Sequence, residues 1–100
     1  MKIPKRFKMM GNTINVKLVP DLLRNTDNEG EAHYRFNEIR LDAGIGKENP
    51  TVLETNFLHE MLHFAMFFLS YDNLKKDEDF INRLSFVLHQ ALVTMEYNED

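Results

Sequence analysis

Two histidines four residues apart, His59 and His63, sit inside an otherwise apolar run from Asn56 to Leu69. No other feature restricts the fold of this chain as tightly. Phe57, Leu58, Met61, Leu62, Phe64, Ala65, Phe67 and Phe68 surround the pair, which predicts a helix buried around most of its circumference. At 3.6 residues per turn the two imidazoles lie roughly 40° apart on that helix, so both can reach one cation. Two imidazoles and a carboxylate are expensive in such surroundings unless something pairs with them. Neutral imidazole nitrogen suits Zn²⁺, which acidifies a water it binds. Glu60, next to His59, projects beside the site, where it can take the proton. The competing reading is a core helix whose histidines hydrogen-bond to neighbours and whose glutamate is solvated.

Composition narrows the remaining classes. A chain of 100 residues with 43% hydrophobic content and eight Phe reads as a single domain, residues 1–100, with one core. The formal net charge of −4 gives a nucleic-acid surface no support. Lys2, Lys5, Arg6 and Lys8 read as solubilising charges beside a strand. With no cysteine, neither a disulfide scaffold nor a thiolate zinc site is possible. No signal-like apolar segment opens the chain. Its longest apolar run, Met61 to Leu69, is interrupted by His63 and too short to span a bilayer. The expectation is a soluble, cytoplasmic protein with no membrane or nucleic-acid partner.

Periodicity predicts an α+β protein: an antiparallel meander of three or four strands, then a two-helix hairpin whose first helix carries the histidines. Residues 5–10 and 12–19 flank Gly11-Asn12, and Ile14, Val16 and Leu18 alternate as in a strand with one buried face. Pro20 ends that strand, and residues 24–30 read as a polar loop. Ala32, Tyr34 and Phe36 predict a third strand, with Ile39 and Leu41 in a fourth after a turn at Asn37-Glu38. Residues 42–49 read as a loop; Gly44-Ile45-Gly46-Lys47 lacks the spacing of a phosphate-binding loop. The first helix starts at Pro50, capped by Asn49 or by Thr51, and ends near Ser70. After a turn over residues 71–76, Asp77 caps a second helix running to Tyr97.

That second helix carries a polar stripe, Glu78, Asn82, Ser85 and His89, between two apolar faces. The stripe is either the side facing a metal or a solvated groove. It matters because catalytic zinc usually has three protein ligands. Glu78 has the better chemistry for a His₂Glu set, and His89 would make a His₃ set. Asn82 is a poor zinc ligand, and Asp79 points off the stripe. A hairpin turning at Asn73–Leu74 sets His63 opposite Leu84 and His59 opposite Leu88, which favours His89 and Asn82 over Glu78.

With these residues in view, the chain resembles the small zincin-type metallopeptidases, particularly minimal gluzincin-like proteins of phages and prophages. Residues 55–64, containing His59-Glu60-Met61-Leu62-His63, are similar to their HExxH helix, and residues 78–85 to the helix after it. Residues 30–34 and 37–42 resemble the hairpin ahead of the active-site helix. The similarity covers roughly residues 2–95, with HExxH as its one sharp motif. The helix ahead of the sheet and the Glu-x-x-x-Asp pair of larger relatives are missing.

The resemblance implies a zinc-dependent peptidase acting on a peptide or protein substrate. His59, His63 and an acidic third ligand, Glu78, would hold Zn²⁺, with Glu60 as general base. It also implies an edge strand that pairs with extended substrate, for which residues 37–41 are the candidate. His33 or Tyr34 is available to stabilise an oxyanion, or is simply structural. Two other classes compete: a catalytically silent module with a structural metal, and a helical hairpin with no metal. Glu60 favours catalysis, because a structural histidine pair has no need of it.

Overall fold

A computed structural model describes residues 1–99. Its strands are β1 (Arg6–Met9), β2 (Asn12–Val19), β3 (Gly30–His33) and β4 (Glu38–Asp42). Its helices are α1 (Leu22–Thr26), α2 (Ala43–Glu48), α3 (Pro50–Phe68), α4 (Asp72–Lys75) and α5 (Glu78–Val93). The α+β class is as expected from the sequence. The meander is not.

The strands lie in the order β1-β2-β4-β3, with β4 parallel to β2 and antiparallel to β3. Ile39 and Leu41 make β4 the most apolar of the later strands and are fully buried, which suits an interior position. Chain after β2 therefore passes through α1 to the rim, runs back as β3, and returns inside it as β4. Residues 37–41, expected at the edge, belong to an interior strand; the edge beside the helices is β3. The third strand is also shorter than its alternation implied. It stops at His33, and Tyr34–Phe36 form a 3₁₀ turn closed by Asn37 in the left-handed region (φ 49°). Phe36 consequently points to solvent, 64% exposed.

One face of the sheet carries Ile14, Ile39 and Leu41 against Phe57, Leu58 and Phe64 of α3. The other face of α3 takes α5, whose Ile81 and Ser85 are buried. Helix α3 thus lies between two layers, the physical reason it is apolar nearly all round. It begins as expected, with Asn49 Oδ1 accepting from the Val52 amide at 3.3 Å and Pro50 in the first turn. Residues 42–49 are helical rather than loop. Asp42 caps α2 by accepting from the Gly44 and Ile45 amides, and also from the Leu23 amide of α1. Asp77 caps α5 through the Phe80 amide at 3.0 Å. Helix α5 ends at Val93 rather than Tyr97, and Phe86, Val93 and Tyr97 are exposed. Among the described residues no helix is long and apolar enough to cross a membrane.

Candidate metal centre

The end of α3 decides what reaches the histidines. Ser70 takes a left-handed conformation (φ 60°), the Ser70 amide bonds to the Phe67 carbonyl at 3.1 Å, and the Tyr71 amide reaches back to Met66 at 2.9 Å. This paired closure turns the chain sharply at the helix end. The chain then passes through α4, so the expected turn at Asn73–Leu74 is helical, and α5 starts with Glu78 facing the histidines.

Glu78 Oε2 lies 3.0 Å from His59 Nε2, and Glu78 Oε1 lies 3.0 Å from His63 Nε2. The two Nε2 atoms are 3.1 Å apart. Three donor groups from two helices therefore converge on one point. Ligands held tetrahedrally at zinc distances of 2.0–2.1 Å stand about 3.3 Å from one another, so this set matches a small divalent ion with little adjustment. Its chemistry also asks for one. Two nitrogens 3.1 Å apart beside a carboxylate need a shared proton or cation between them; His63 Nδ1, which points away from that spot, is buried without a hydrogen-bond partner. Burial, followed by the neighbouring His59, holds the His63 pKa below its ordinary value against the pull of Glu78. Neutral imidazole is the form that binds metal.

Glu60 is a different kind of carboxylate. His59, Glu60 and His63 donors also fall within 4.8 Å of one another, but Glu60 forms no hydrogen bond to either ring among the described residues. Glu78, which does contact both, is the better third ligand although it is 64% exposed on its side chain. Glu60 is 8% exposed and lies against the start of β3. A Cβ at Gly30 would stand 3.1 Å from Glu60 Oε2 and 3.2 Å from Leu41 Cδ2, so the glycine makes room for the carboxylate rather than for a turn. Burial first, then the charges of Glu78 and Glu31, push the Glu60 pKa up to about 8.

His89 is occupied elsewhere, its Nε2 2.8 Å from Glu54 Oε1, which also accepts from the chain's first amino group at 3.1 Å. The His89 contact chiefly draws the Glu54 pKa down. The polar stripe of α5 does face α3, but divides: Glu78 and Asn82 line the site, Ser85 donates to the Asn82 carbonyl, and His89 pairs with Glu54. Asp79 turns outward to Arg83. His33 is tied to Glu31 at 2.9 Å. Tyr34 stacks on Phe67 with centroids 4.7 Å apart, under the Lys75 ammonium. Burial, reinforced by Glu60 and Glu78, raises its pKa to about 12, so its phenol stays protonated within the field of the site.

A cleft of about 340 Å³ opens beside the three donors, lined also by Asp27, Glu29 and Asn56. Sequence reasoning missed Asn56 and Gly30. Asn56 shares the helical face of His59, Glu60 and His63, and that spacing was a readable signal; Gly30 had none. Comparison with protein-family models, with curated proteins and with solved structures finds no match to this chain.

Proposed function

We propose that this chain is a zinc-dependent hydrolase of peptide bonds, with His59, His63 and Glu78 as metal ligands and Glu60 as general base. The observation that carries this reading is the meeting of Glu78 with both imidazoles at 3.0 Å, beside a buried carboxylate, Glu60, that forms no hydrogen bond among the described residues. A divalent ion bound by these donors supplies Lewis-acid chemistry, acidifying water and offsetting charge on a carbonyl oxygen. Glu60 takes the proton of the attacking water as its oxygen bonds to the carbonyl carbon. It then delivers that proton to the amine nitrogen as the C–N bond breaks. Strand β3 pairs on one side only, so its outer edge is free for an extended peptide to join as a further strand. His89 is held by Glu54, so His59, His63 and Glu78 would be the residues that hold the ion beside the cleft, a three-ligand set of the kind catalytic zinc uses.

Two measurements test the reading. Calorimetry on chelator-stripped protein should show about one Zn²⁺ per chain and a raised melting temperature, both lost in the His59→Ala/His63→Ala variant. A peptide-library digest should show zinc-dependent cleavage that falls by about 10²–10⁴ in Glu60→Gln. Zinc uptake without cleavage of any peptide would leave only a silent metal-binding module. No zinc uptake would remove the metal centre altogether.

A further inference from the structure

Four carboxylates line the cleft, Asp27, Glu29, Glu60 and Glu78, and its lining includes no lysine or arginine. Glu78 faces the imidazoles and Glu60 has its place in the chemistry. Asp27 and Glu29 have no such task. They stand on the turn between α1 and β3, where the free-edged strand begins. The chain's ion pairs engage Glu31, Glu38, Glu54, Glu78, Asp72 and Asp79; among the described residues none engages Asp27 or Glu29. Asn56 Nδ2 donates to Glu29 Oε2 at 3.0 Å, which ties that carboxylate to α3 about one turn before the histidines and leaves its second oxygen open.

An acidic rim alone would be ordinary solvated surface. The same cleft is lined by Glu60, which is more than nine-tenths buried and forms no hydrogen bond among the described residues. A ligand seated there shares the cleft with these carboxylates. A cationic group gains charge-assisted hydrogen bonds, whereas an acidic one is repelled and a neutral one leaves the carboxylates desolvated and unpaired.

We infer that Asp27 and Glu29 are specificity-determining residues that select a peptide carrying a cationic group at this end of the cleft, either a lysine or arginine side chain or a free α-ammonium. The inference rests on the peptidase reading for its reaction, but not for its binding test.

Glu60→Gln protein, impaired in hydrolysis, is titrated with and without zinc by fluorescence anisotropy with C-terminally labelled alanine-serine peptides. Each contains one arginine, its uncharged isostere citrulline, or glutamate, and each is made acetylated and with a free amine. The arginine peptide should bind about tenfold tighter than the citrulline peptide. That ratio should fall below about threefold when salt is raised to about 0.5 M. The Asp27→Asn/Glu29→Gln double change should abolish the ratio while zinc uptake persists. A tenfold gain from the free amine instead would identify the α-ammonium as the cation. Equal affinity of arginine and citrulline peptides in both amine forms, or no binding of any peptide at about 1 mM, overturns the inference. Zinc- and Glu60-dependent cleavage of neutral peptides without arginine preference overturns it too, and leaves the hydrolase standing. Arginine-selective binding with no cleavage by the wild type does the reverse.

Discussion

Replacing Glu60 by Gln should make the metal-free protein more stable at high pH, and the size of the gain follows from burial. The Glu60 pKa rises from 4.5 to about 8 in the fold. The folded state therefore holds the proton more tightly than the unfolded chain, and stability falls as pH climbs from 4.5 towards 8. At 1.36 kcal/mol per pH unit, the full penalty reaches a ceiling of about 5 kcal/mol above that window. Marginal domains have about 5–15 kcal/mol in total, so the loss is large. His63 works against it: its depressed pKa adds stability as pH rises through the unfolded value of 6.5. Comparing wild type with Glu60→Gln cancels that contribution, because the amide keeps the shape and cannot titrate. Urea unfolding of chelator-stripped protein should show a gap under about 1 kcal/mol at about pH 5, with Glu60→Gln ahead by about 2–5 kcal/mol more at about pH 9. Saturating zinc should shrink the gap, since a nearby divalent charge favours the carboxylate. A difference between the two proteins that stays constant from about pH 5 to about pH 9, or that runs in the opposite direction, would refute the reasoning.

Other substitutions probe the frame around the site. Glu78→Ala should weaken zinc binding more than His89→Ala in calorimetry, because only Glu78 contacts both imidazoles; the reverse order would reassign the third ligand. Ser70→Gly should raise stability by about 1 kcal/mol in urea unfolding, since glycine adopts the left-handed conformation without steric cost. Phe64→Ala should cost about 3–5 kcal/mol, the side chain being fully buried between sheet and helix. Gly30→Ala should lower any Glu60-dependent cleavage while leaving zinc stoichiometry unchanged, because the added methyl crowds Glu60 at 3.1 Å and not the ligands.

The sequence by itself determined what one helix can hold. His59, Glu60 and His63 are neighbours on α3, and the 3.6-residue period brings them together whatever surrounds the helix. The caps at Asn49 and Asp77 were legible for the same reason: a cap is a contact across three residues. Strand alternation marked Ile14, Ile39 and Leu41, which are buried, but also Leu18, which is 53% exposed; alternation names no neighbour, so it does not place β4 between β2 and β3. The helix over residues 43–48 was hidden by Gly44 and Gly46, and forms where Asp42 caps it while also holding α1. Glu78 meets the histidines only because α5 packs back on α3, through a connection that turns at Ser70 and includes α4. The acidic rim at Asp27 and Glu29 arose likewise, because a loop far from α3 in sequence is fixed to it through Asn56. Local periodicity sets the two imidazoles and the base; contacts between distant segments set the third donor and the cleft, and no pattern within a single element encodes those.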